Sequence, residues 1–135
     1  MPHVSKNKPD SKLLTLIFSE LSTLIAHTNK NSAPKFLHEL LTKTEQIMLA
    51  KRLTAVVMLS QEKGVYKIAT RLNLSTSTVQ RIASAYQGGE YESIVHSITR
   101  SKKDTERFWE LIELISRGGM PSMSHKDRWK FLTKT

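Results

Sequence analysis

The chain has no cysteine, and that one absence removes several chemistries together. It excludes a disulfide framework, a thiolate metal site and a cysteine nucleophile, and it fits a reducing compartment. Glycine and proline are scarce, five and four in 135 residues, and no glycine-rich phosphate loop is spelled out. No run approaches the roughly 18 apolar residues of a membrane span, and the opening "MPHVSKNKPD" is too polar for a signal peptide. The histidines, His3, His27, His38, His96 and His125, form no pair with ligand spacing apart from acidic neighbours. Glu92 and His96 lie one helical turn apart, but two ligands do not make a metal site. With no nucleophile elbow either, neither an enzyme nor a resident metal is expected. Acidic residues are also few, 12 against 21 Lys and Arg, which leaves a formal net charge of +9. A cytoplasmic protein with a polyanionic partner, and no membrane anchor, is the expectation.

What is present is helical periodicity. Residues 1–10 read as a flexible basic tail. Leu13, Leu14, Ile17, Leu21, Leu24 and Ile25 then recur at the spacing of an amphipathic helix. A second helix starts near Ser32, a plausible cap, with Pro34 tolerated in its first turn. "TKTE" at Thr42 to Glu45 is a capping box, and Ile47, Leu49, Ala50, Leu53, Val56, Val57 and Leu59 keep one face of the next helix apolar. Gly64 is expected to stop it. A further helix carries Phe108, Leu111, Ile112 and Ile115 on one face, with Asp104 as its cap and Trp109 in a core or interface. No strand-like alternation appears, so the fold is all-α. The boundaries drawn are a tail over 1–10, a helical domain over 11–95, and a C-terminal helix with a basic aromatic tail over 96–135.

The informative stretch is "VYKIATRLNLSTSTVQRIASAY", residues 65–86. Ile68, Ala69, Leu72, Leu74, Val79 and Ile82 take the inward positions of two short helices that cross steeply. Ala69 is small enough for the contact point. Asn73 suits the left-handed turn, Leu74 plugs the corner and Ser75 caps the second helix. This is a helix-turn-helix. Its second helix spends a whole turn on Ser and Thr, which compete with the backbone for hydrogen bonds and suit a groove better than a core. Thr76, Ser77, Gln80, Arg81 and Ser84 form its outer face, where Gln pairs with adenine and Arg with guanine. Ser75, Thr76, Ser77, Gln80 and Arg81 are therefore the expected DNA readers, with Lys67, Arg71 and Ser84 as secondary contacts. Between Lys43 and Tyr86 seven Lys or Arg stand against two Glu, which supplies phosphate attraction.

"FLHELLTKTEQIMLAKRLTAVVMLSQEKGVYKIATRLNLSTSTVQRI" resembles the DNA-binding segment of the Trp repressor family. The continuation "QGGEY" is closer to small Trp-repressor-like proteins of the YerC/YecD type. The resemblance implies an intertwined, all-helical homodimer whose two recognition helices enter successive major grooves of double-stranded DNA. The first helix has more apolar surface than a lone motif can cover, which independently favours a partner subunit. The resemblance also places Thr42, Arg52, Thr78 and Arg81 around a tryptophan corepressor. Where the family has a glycine after that second arginine, this chain has Ile82, whose branched side chain narrows the space. No tryptophan cofactor is expected.

The expected function is that of a DNA-binding transcriptional regulator, a repressor. Two alternatives remain open at this point. One is a DNA-binding adaptor of a replication or mobile-element assembly, with a protein partner docked on the Trp129 region. The other is a non-specific nucleic-acid binder.

Overall fold

The computed structural model describes residues 10–100 and 105–119. Among them are seven helices and no strand: α1 (Ser11–His27), α2 (Ala33–Leu40), α3 (Lys43–Ser60), α4 (Val65–Leu72), α5 (Thr76–Gln87), α6 (Glu92–Arg100) and α7 (Glu106–Gly118). The basic tails expected at both ends and the cap expected at Asp104 lie outside the described residues. The chain divides into two compact units, Met1–Gln46 and Ile47–Thr135.

In the first unit, Asp10 starts α1 by accepting a hydrogen bond from the Lys12 amide at 3.1 Å. α1 buries none of its residues, and Leu16 and Phe18 are 63% and 66% exposed. α2 buries none either, although Leu37 and Leu40 give it a distinct apolar face. Pro34 sits in its first turn and Ser32 at its cap position as expected, but the Ser32 side chain makes no capping bond. The Ser32 hydroxyl instead accepts from the Asn29 amide, while Asn29 Oδ1 accepts from the amides of Asn31 and Ser32. That local turn competes successfully for the capping oxygen. The capping box forms as the sequence predicts. The Thr42 amide donates to Glu45 Oε1 at 2.9 Å, and the Glu45 amide donates to Thr42 Oγ1 at 3.2 Å.

The second unit holds the core. Four successive residues of α3, Ala55, Val56, Val57 and Met58, are essentially fully buried, so this part of α3 is covered on all sides. Around it pack Ile68, Ala69 and Leu72 of α4, Val79 and Ile82 of α5, and Ile112 and Ile115 of α7. Thr54, also buried, donates its hydroxyl to the Ala50 carbonyl and so carries no unmet polar group into the core. Leu49 and Leu53, expected on the same apolar face, remain exposed. Trp109 and Phe108 pack against the core and meet each other edge to face, their ring centroids 6.2 Å apart.

Gly64 is not the stop of α3. The helix ends at Ser60, and Glu62, with φ of 62°, takes the left-handed position that lets the Lys63 amide reach the Met58 carbonyl. Gly64 has an extended backbone and precedes α4 as its cap residue. At the end of α7, Gly119 has φ of 80°, and a Cβ there would come within 3.6 Å of the Arg71 carbonyl. The C-terminal helix is thereby seated on α4.

Candidate nucleic-acid interface

α4 and α5 form the helix-turn-helix, and each turn residue has an identifiable task. Ala69 is 5% exposed and lets the two helices approach. Asn73 is left-handed, with φ of 52° and ψ of 49°. Its amide and that of Leu74 both return to the Ala69 carbonyl. Leu74 is half-buried against the core, as a corner plug requires. Ser75 is extended, and its hydroxyl accepts from the Thr78 amide at 3.2 Å.

The hydroxyl turn is a small network. Ser75 Oγ lies 3.1 Å from Ser77 Oγ and 2.8 Å from Thr78 Oγ1. Thr78 faces half inward, whereas Ser75, Thr76, Ser77, Gln80, Arg81 and Ser84 are all exposed. Thr76, Gln80 and Ser84 follow one another at helical spacing, and Ser77 and Arg81 run beside them. Val79, Ile82 and Ala83 are buried on the other side. One side of α5 is thus core and the other is a row of hydrogen-bonding groups.

Lys67 is exposed and Arg71 half-buried on α4. Among the described residues, Lys67, Arg71 and Arg81 make no ion pair. Lys51 was not singled out by sequence, yet its ammonium donates to the carbonyl of Asn73 at 3.3 Å. The two residues are 22 positions apart, and no periodicity links them.

The four residues aligned with a corepressor pocket fall in both units. Thr42 belongs to the unit Met1–Gln46, and its amide and hydroxyl are engaged by Glu45. These contacts favour the charged form of Glu45 and hold its carboxyl below the usual value, the Thr42 amide first and the Thr42 hydroxyl second. Arg52 and Arg81 are exposed in the second unit, and Thr78 shares the Ser75 network. Ile82 is 8% exposed and is part of the core. A cleft of about 580 Å³, lined by Ser60, Gln61, Tyr86, Val95, Thr99, Glu106 and Trp109, includes none of the four. Among the described residues no cluster of acidic and histidine side chains can hold a metal ion, and no helix is long and apolar enough to cross a membrane.

Comparison with known families gives a match to the model described as Trp repressor protein over residues 13–103, about two-thirds of the chain. The match takes in most of α1 and all of α2 to α6, and ends before α7 begins. Neither the curated proteins nor the solved structures provide a match.

Proposed function

We propose that this chain, which belongs to the Trp repressor family, binds specific double-stranded DNA sequences through α4 and α5 as a transcriptional repressor in the cytoplasm. One observation carries this reading. The exposed row on α5 consists of groups that hydrogen-bond to base edges, and it lies directly behind a core that fixes its orientation. Thr76, Ser77, Gln80 and Arg81 read bases, with Ser75 beside them at the helix start. Ser84, Lys67 and Arg71 meet phosphates on either side. No tryptophan is required, because Ile82 occupies the position where the family resemblance puts a glycine.

The working unit is a homodimer. α1 exposes Leu13, Leu14, Leu16, Ile17, Phe18, Leu24 and Ile25 together, an apolar surface that a second copy would bury. Each such side chain contributes roughly 1.5–3 kcal/mol when it leaves water. Two copies present two recognition helices, and a two-fold-symmetric operator follows.

Selection from a random duplex library near physiological salt tests the reading. The expected result is a symmetric motif bound roughly a thousandfold or more above background. Absence of enrichment, with affinity falling steeply in salt for every duplex alike, would leave only charge-driven binding and end the specific reading.

A further inference from the structure

We infer that Lys51 is a positioning residue for the recognition helix: it ties the turn of the helix-turn-helix to α3 through the Asn73 carbonyl. This rests on the DNA-reading role of α5. Three amides of the turn region have identified acceptors. The Asn73 and Leu74 amides both use the Ala69 carbonyl, and the Thr78 amide uses Ser75. The carbonyl of Asn73 points out of this set and is met by the Lys51 ammonium at 3.3 Å.

The anchor at the other end is rigid. Lys51 lies one helical turn before Ala55, where the fully buried segment of α3 begins. Its half-buried stem therefore projects from the best-packed helix of the unit to the first of the three residues that link α4 to α5. A charge-assisted bond to a carbonyl is stronger than a neutral one. The bond spans elements, whereas the other turn bonds are local, so it sets where α5 begins relative to the core.

Asn73 is the C-cap of α4, so the ammonium also lies at the negative end of that helix, where a cation is favourable. For α5 the charge itself offers nothing, because Asn73 stands two residues before the Ser75 cap at that helix's positive end. What the lysine contributes to α5 is the bond. Errors in helix placement affect base edges, which demand exact geometry, more than phosphates, which tolerate displacement. Lys51 therefore governs discrimination between sequences rather than affinity for DNA in general.

The test compares full-length wild type with Lys51→Met, Lys51→Gln and Lys51→Arg. Met keeps the stem without a donor, Gln has a donor but is one bond too short, and Arg restores a donor at similar reach. The readouts are the affinity ratio between the selected duplex and a scrambled one, the salt slope of each, and hydrogen exchange at the amides of Leu74, Ser75 and Thr76. Met and Gln are expected to reduce the ratio about tenfold and to speed exchange at those amides about tenfold, with the salt slope unchanged, and Arg to restore both. A salt slope smaller by about 0.9 with equal loss on all duplexes would make Lys51 a phosphate contact and overturn the inference. Unchanged exchange in Met and Gln would overturn it as well. Should the wild type show no sequence preference, the DNA-reading role fails, while exchange still decides whether Lys51 holds the turn.

Discussion

The hydroxyl oxygen of Ser75 accepts the amide of Thr78 at 3.2 Å, so a residue at the edge of the proposed reading face also closes the first turn of its helix. Stability and DNA affinity are therefore separable at this position. Ser75→Ala removes the cap and is expected to cost about 1 kcal/mol in urea unfolding. Ser75→Asp keeps a capping oxygen and adds an anion at the positive end of α5, so stability is retained or improved. In the proposed docking the same anion faces DNA, and affinity for any duplex is expected to fall by about tenfold or more. If Ser75→Asp binds as well as the wild type, the start of α5 does not approach the phosphates.

Asn73 gives a second, purely conformational prediction. It sits at φ of 52°, a region that costs most L-residues roughly 1–2 kcal/mol. Asn73→Ala is expected to lose about that much stability, and Asn73→Gly less, because glycine enters the region freely. The carbonyl that Lys51 holds is retained in both variants. Equal losses in the two, measured by urea unfolding, would mean that the Asn73 side chain contributes something the backbone does not explain.

These positions show which parts of the structure the sequence made legible. Ala69, Asn73, Ser75 and the Thr42 to Glu45 box are local devices whose partners lie within a few residues, and each does what its residue type suggests. Stops are less well determined by residue type. Gly64 is the better left-handed residue, yet Glu62 adopts that conformation because the Lys63 amide must reach Met58 at that point in the chain. Ser32 holds the cap position of α2 without a capping bond, because its hydroxyl accepts from the Asn29 amide instead. The Lys51 tie was illegible for a different reason. It joins residues brought together only by the crossing of helices, and nothing in the spacing of Lys51 and Asn73 announces it.

Glu45 makes stability depend on pH. Its carboxyl is held below the ordinary value of 4.5 by the Thr42 amide and then by the Thr42 hydroxyl. A depressed carboxyl contributes stability that is complete above the unfolded value and is lost as pH falls through the lower folded value. Thermal unfolding of the wild type and Glu45→Gln should therefore differ at neutral pH, with the wild type more stable. The two should converge on acidification, once the Glu45 carboxyl is protonated in the fold as well. Parallel curves at all pH values would show that the charge of Glu45 adds nothing to the box.

Arg81 provides the sharpest test of the proposed DNA-reading role of α5. It is exposed, makes no ion pair among the described residues, and lies one turn beyond Ser77 on the face opposite Val79 and Ile82. A guanidinium in that position has two ways to bind. Paired with the O6 and N7 of guanine, it recognises one base, and Arg81→Ala should cost about 1–3 kcal/mol on the selected duplex and relax the preference at that position alone. Placed against a phosphate, it would lower affinity equally for every sequence and reduce the salt slope by about 0.9. The base-reading outcome is expected, because the neighbours of Arg81 on that face, Gln80 and Ser77, are uncharged groups suited to base edges, while Lys67 and Arg71 on α4 already supply positive charge at the flank. Repeating the duplex selection with Arg81→Ala distinguishes the two, since only loss of a base contact removes one position from the motif and leaves the others intact.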